Sequence, residues 1–183
     1  IMQGDEIQTR NFDTLVELIA PSKDDVIIDN GASSFVPLTH YLISNQVPAL
    51  LQDMGHEMVV HTVITGSQAL LDTVSGFAQL ASQFPAEGLF VVWRNPFWGA
   101  IEHEGKGFEQ MKAYTANKAR VSAIVNIPAL KEDTYGRDLS DMLQERLTFD
   151  EALAMDSLTI MTRQRLKIVK GQLFSQLDSA AVL

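Results

Sequence analysis

The chain has 183 residues, 46% hydrophobic and 20% charged, a composition that supports a globular fold with a substantial core. Its net charge of −9 argues against broad electrostatic adhesion to nucleic acid, and the absence of cysteine excludes disulfides, thiol catalysis and thiolate-bound metal. No apolar run approaches the roughly 18 residues that span a bilayer, and no basic n-region with an apolar h-region opens the chain, so the expectation is a cytoplasmic protein without a membrane span.

No repeat, low-complexity tract or linker interrupts residues 1–183, which read as a single domain. The chain opens on Ile1 with Met2 behind it, which points to a fragment whose upstream sequence is missing. Phe12, Leu15, Val16 and Ile19 recur at helical spacing, and Pro21 closes that helix. Val26–Asp29 then reads as a short buried strand, because consecutive β-branched apolar residues suit a strand covered on both faces. Helical material follows from about Pro37 to Met54, broken near Pro48. A second strand is expected at Met58–Ile64. After Gly66 and Ser67 comes a helix whose face is Leu70, Leu71, Val74, Phe77, Ala78 and Ala81.

The third expected strand, Leu89–Trp93, ends in Arg94, Asn95 and Pro96. An aromatic, charged loop and a helix from about Gly107 to Lys118 come next. The fourth strand, Val121–Val125, ends in Asn126, Ile127 and Pro128. Helices over about Arg137–Arg146, just after Thr148, and from Ser157 to about Leu177 complete the chain. Strands alternating with helices of this length predict an α/β fold, a parallel sheet with helices on both faces. From Leu158 onward the charge is +3, carried by Arg163, Arg165, Lys167 and Lys170 against Asp178, so the preceding part carries −12. Such a basic helix either meets an acidic partner or simply solvates an exposed face.

A parallel sheet delivers the carboxyl ends of its strands to one edge, where ligands bind in open α/β folds. Asp29 stands at such an end, and a carboxylate there serves P-loop NTPases as a Mg²⁺ holder. Asp29-Asn30-Gly31 is equally good turn chemistry, with Gly31 free to turn sharply. Asn95 offers both an acceptor and donors suited to the Watson–Crick edge of a purine, and Ile127-Pro128 a flat apolar surface for a base. The plain alternative is that Asn and Pro start loops.

Other residues carry weaker signals. His103 lies between Glu102 and Glu104, but neighbours in an extended loop point different ways, and His40, His56 and His61 are scattered. Ser33, Ser34 and His40 lack a nucleophile elbow. Gly105-Lys106-Gly107 fails as a phosphate loop, since Ile101 replaces the required glycine and no Ser or Thr follows the lysine. Trp93 reads as core, whereas Phe97 and Trp98, flanking Pro96, suit an interface.

Three stretches, Asp25–Phe35, Leu89–Pro96 and Ser122–Pro128, resemble the ParA/MinD group of deviant-Walker P-loop ATPases. Over essentially the whole chain, including Met161–Lys167, the sequence is more closely similar to the TraL-type conjugal transfer proteins of broad-host-range plasmids. The resemblance implies a P-loop NTPase-like fold, truncated at its N-terminus, from a bacterial ATPase that acts as a nucleotide-dependent switch in plasmid transfer. It implies that Asp29 is the catalytic carboxylate that holds Mg²⁺ directly or through water, and that Asn30 to Ser33 sense the γ-phosphate. By the same resemblance Asn30, Gly31, Asn95, Ile127 and Pro128 contact the nucleotide, with Asn95 reading adenine. Gly31 departs from the proline usual in the wider group, and the phosphate-binding loop lies upstream of Asp29, where residues 1–25 do not supply it. The resemblance therefore implies ATP and Mg²⁺ as cofactors of the intact protein, with none expected to bind tightly to this chain. A homodimer around nucleotide and contacts with conjugation proteins are the implied partners. The rival reading is a non-catalytic adaptor on the same fold, using the aromatic loop or the basic C-terminal helix.

Overall fold

The computed structural model describes residues 2–3, 6–7, 9–86 and 88–180. The chain divides into two compact units, one of Ile1–Val60 with Ser82–Leu89, the other of His61–Ala81 with Phe90–Leu183. In chain order the first elements are β1 (Met2–Gln3), β2 (Glu6–Ile7), α1 (Phe12–Ile19), α2 (Ala32–Ser44) and α3 (Val47–Asp53). Then come β3 (Val59–Thr65), α4 (Leu70–Gln83), β4 (Leu89–Asn95), β5 (Glu102–His103) and β6 (Lys106–Gly107). The last are α5 (Lys112–Asn117), β7 (Val121–Asn126), α6 (Arg137–Gln144), α7 (Phe149–Ala154) and α8 (Ile160–Ala180).

In the first unit β1 and β2 form a short antiparallel pair. The helical spacing of Phe12 places it inward, 2% exposed, with its ring 5.4 Å from that of Tyr41. The Tyr41 hydroxyl donates to Asp13 at 2.7 Å, and this bond to a carboxylate pushes its pKa up to about 12. Val47 and Leu51 of α3 are also buried. The expected strand at Val26–Asp29 does not form. Residues 25–31 are irregular, and Val26, Ile27 and Ile28 are 47%, 92% and 43% exposed. A β-branched run prefers a pleated, half-buried surface, but it becomes a strand only beside a partner. Among the described residues no strand pairs with it.

The second unit holds β3 from His61 and β4 from Phe90 onward, and with β7 they make a three-stranded parallel sheet in the order β3-β4-β7, flanked by helices. The expected α/β architecture is therefore present, with three strands in the sheet where four were expected. Val91 and Val92 are both fully buried. Since successive side chains in a strand point to opposite faces, both faces of the central strand are covered. The predicted face of α4 supplies Leu70, Val74, Phe77 and Ala81 to one cluster with Ile64, Val92, Phe108 and Tyr114. Phe77 meets Phe108 edge-on at 5.5 Å.

A second cluster, Met142, Ala152 and Leu166, joins α6, α7 and α8. Thr148 and Glu151 cap α7 reciprocally, Glu151 Oε2 accepting the Thr148 N–H at 2.8 Å and Thr148 Oγ1 accepting the Glu151 N–H at 3.3 Å. Those bonds hold the Glu151 carboxyl below its ordinary pKa. The basic character of α8 is largely used inside the unit. Arg163 donates to the carbonyls of Leu153 and Met155, Arg165 pairs with Asp138, and Lys170 pairs with Asp150. Three of the four cations that suggested a docking helix thus tie α8 to α6, α7 and the loop after α7.

Candidate functional site

The carboxyl edge of the sheet is where the second unit concentrates its polar chemistry. The parallel register sets Arg94 beside Asn126, and the Ile127 N–H donates to the Arg94 carbonyl at 2.9 Å. Asn95 and the Ile127-Pro128 pair thereby leave adjacent strands at one edge. The β4 strand runs to Asn95, two residues further than its apolar run, because this pairing continues through Arg94. Asn95 Oδ1 accepts the Phe97 N–H at 3.1 Å and so caps the turn Pro96–Trp98. One lone pair of that oxygen remains for a ligand, together with the amide donors.

Arg94 was not singled out by the sequence, yet it organises this edge. Its Nε donates to Asn126 Oδ1 at 2.6 Å and its Nη1 to Glu109 Oε2 at 3.1 Å. Gln176 of α8 accepts from both the backbone and the side-chain amide of Asn126. An arginine at the end of a strand was the available signal, whereas nothing in sequence links Gln176 to Asn126 fifty residues away.

Beneath the edge, the Trp93 indole N–H donates to His61 Nδ1 at 2.8 Å, so His61 is neutral with its proton on Nε2. Partial burial keeps its pKa below the ordinary 6.5. A depressed imidazole pKa means that the unfolded chain binds the proton more readily. This contribution to stability is therefore complete above the unfolded pKa and lost as pH falls below it. His61→Asn, whose Oδ1 still accepts from Trp93 but does not titrate, is expected to shrink the difference in melting temperature between about pH 7.5 and about pH 5.5. Melting curves at both pH values check this, and an unchanged difference would contradict it.

Asp29, Asn30 and Gly31 belong to the first unit, while Asn95, Ile127 and Pro128 belong to the second. Asp29 and Asn30 are exposed, in irregular backbone that leads into α2. The Gly31 carbonyl accepts from the Ser34 N–H at 3.0 Å and its hydroxyl at 2.9 Å, closing the first turn of α2. Gly31 itself has φ −67° and open space where a Cβ would stand, so the freedom peculiar to glycine is not used. A proline would fit that φ.

Gly105 and Gly107 belong to the β5–β6 hairpin, whose turn Glu104-Gly105 has both φ values positive, at 50° and 72°. This is the mirror-image turn that two-residue hairpins prefer, and no helix starts from it to cradle a phosphate. His103 Nε2 lies 3.9 Å from Glu104, and among the described residues no group of three His, Asp or Glu side chains could hold a metal ion. Ser34 is engaged with Gly31, and the His40 ring approaches Ser44. The first unit thus offers an exposed carboxylate at Asp29 and the second a strand-end edge of amide and apolar groups, and among the described residues no glycine-rich turn leads into a helix start as a phosphate cradle does.

Among the described residues no helix is long and apolar enough to cross a membrane. Fold and edge define an α/β protein with a parallel sheet and a polar carboxyl edge of the sort that receives small ligands. Compared with known proteins, the chain is 84% identical over all of its 183 residues to a protein TraL of Escherichia coli, covering 76% of that relative. It is 81% identical, at the same coverage, to a second protein TraL from Escherichia coli. The chain belongs to the TraL family. No family model matches it, and no solved structure does.

Proposed function

We propose that the chain is part of an ATPase that acts as a nucleotide-dependent switch in plasmid conjugative transfer, built on a P-loop NTPase-like fold. Membership of the TraL family supports the link to conjugation. The observation that carries the nucleotide reading is the departure of Asn95 and Ile127-Pro128 from adjacent parallel strands, an amide beside a flat apolar pair. In this reading Asn95 recognises the adenine edge and Ile127 and Pro128 pack against the base. Asp29 is the carboxylate on the Mg²⁺ side, directly or through water, and Asn30 and Gly31 begin the segment that responds to the γ-phosphate. The chain covers 76% of the relatives it matches, and this reading requires a phosphate-binding loop in the remainder. Nucleotide would order the segment after Asp29 and thereby change which surfaces are offered to a second copy or to conjugation proteins, as nucleotide switches do.

In a protein of the relatives' full length, Asp29→Ala is expected to weaken Mg²⁺-dependent ATP binding or turnover by roughly 10–100-fold. Titration with Mg-ATP and a phosphate-release assay check this. Affinity and hydrolysis both equal to those of the parent would overturn the assignment. Asp29 is exposed and makes none of the core contacts described above, so an intact melting temperature distinguishes lost chemistry from lost fold.

A further inference from the structure

The second unit leaves an aromatic pair in water. Phe97 is 73% and Trp98 66% exposed, their rings edge to face at 4.7 Å. Trp98 lines an open cleft of about 510 Å³ with Leu71, itself 54% exposed, and with Gln68, Glu102 and His103. Large aromatics are enriched at the centres of protein interfaces, where tryptophan and tyrosine carry most of the energy.

The backbone that presents this surface is fixed from three sides. Asn95 caps the aromatic turn, the Gly66 backbone lies hard against the carbonyls of Gly99 and Ala100, and the backbone of Glu102 is paired with Gly107 in the β5–β6 hairpin. A surface ordered in advance loses less entropy when it binds. The chemistry of the lining selects the occupant. The face of an indole attracts cations, and Glu102, a carboxylate-bearing residue in the lining of the same cleft, does the same. Among the described residues no cation pairs with Glu102, and Glu104, at the hairpin tip, adds a second carboxylate. Lys106 of the same hairpin lies outside the lining.

We propose that this cleft docks a basic segment of a partner protein, an arginine lying flat on the Trp98 indole and pairing with Glu102 while an apolar neighbour covers Leu71. Arginine suits the site better than lysine because its planar head both stacks and forks onto a carboxylate. The proposal goes beyond the nucleotide reading and does not rest on it, since it uses Asn95 only as the cap of the aromatic turn and uses none of Asp29, Asn30, Gly31, Ile127 or Pro128.

The test is calorimetric titration of the full chain with an end-blocked peptide of alternating arginine and leucine, beside the same peptide carrying citrulline for arginine. The arginine peptide should bind. Citrulline, Trp98→Ala and Glu102→Gln should each weaken binding by roughly tenfold or more, with melting temperatures unchanged because the altered groups are exposed. Equal binding by parent and both variants would mean diffuse attraction to an acidic protein, and would overturn the proposal. So would equal binding of the citrulline peptide, or no binding at all. Self-association seen by sedimentation without peptide and abolished by Trp98→Ala would assign the surface to a second copy and overturn it equally.

Discussion

Phe77→Ala is expected to cost about 3–5 kcal/mol of folding free energy, the range for emptying a fully buried aromatic site. Phe77 is 0% exposed and sits among Ile64, Leu70, Val74 and Val92, the residues that seat α4 on the sheet. The substitution removes the edge-on contact with Phe108 as well as the ring's own burial, and Phe108 is in turn packed on Tyr114 at 5.2 Å. Ile64 and Val92 are held by the sheet and Leu70 and Val74 by α4, so the space cannot close fully and the cavity part of the cost remains. For a chain of this size the loss corresponds to a melting temperature lower by roughly 6–20 °C. The effect should fall on the transition that melts the second unit. Phe77→Leu, which keeps most of the volume, is expected to cost less than half as much. Urea unfolding followed by circular dichroism checks both, and a loss below about 1 kcal/mol for the alanine would show that the cluster is not the core described here.

Gly66→Ala is the second severe case, for a different reason. Gly66 has φ −82°, which any residue adopts, so its backbone conformation does not call for glycine. Space does. A Cβ there would stand 2.2 Å from the Gly99 carbonyl oxygen and 2.7 Å from that of Ala100. Both obstacles are backbone, unable to swing aside as a side chain does, so either the turn after β3 or the Gly99-Ala100 segment must move. Overpacking of this kind costs typically about 1–3 kcal/mol and occasionally more. Movement of the Gly99-Ala100 segment would carry Trp98 with it and change the tryptophan emission spectrum of the native state, whereas movement of the turn after β3 would lower the melting temperature alone. Gly76→Ala is the control. It lies inside α4 with nothing within 4 Å of the new Cβ, and alanine there should stabilise by about 0.5–1 kcal/mol through helix propensity. Two glycine-to-alanine changes ten residues apart should thus move stability in opposite directions.

Much of the fold was legible because burial imposes period on sequence. The spacing of Leu70, Val74, Phe77 and Ala81 is the face that α4 buries, and the strands expected at residues 58–64, 89–93 and 121–125 all lie in one sheet, with the first running from Val59 to Thr65. Val26–Asp29 shows where such reading stops. Its composition is that of a strand, but pairing is a property of two segments, and only one of them is written in the triplet. The basic tail shows the same limit for charge. Asp138 and Asp150 lie 27 and 20 residues from the cations they neutralise, so a count of local charge could not find them. Of the candidate site, the sequence located Asn95 and Ile127-Pro128 at one edge. Arg94, Glu109 and Gln176 were hidden because their bonds depend on how α8 and the loop after β6 come back to the strand ends.

Without a strand partner among the described residues, the Val26-Ile27-Ile28 triplet has a consequence for how this chain behaves in company. An unpaired, β-prone, apolar segment in solvent is a template on which another chain can add a strand. Asp24 and Asp25 precede the triplet and Asp29 follows it, all three exposed. Two triplets brought together in parallel would oppose carboxylate to carboxylate, a repulsion that acts as a gatekeeper against stacking into fibres. The carboxylate singled out for chemistry would then also disfavour strand-on-strand addition at this segment.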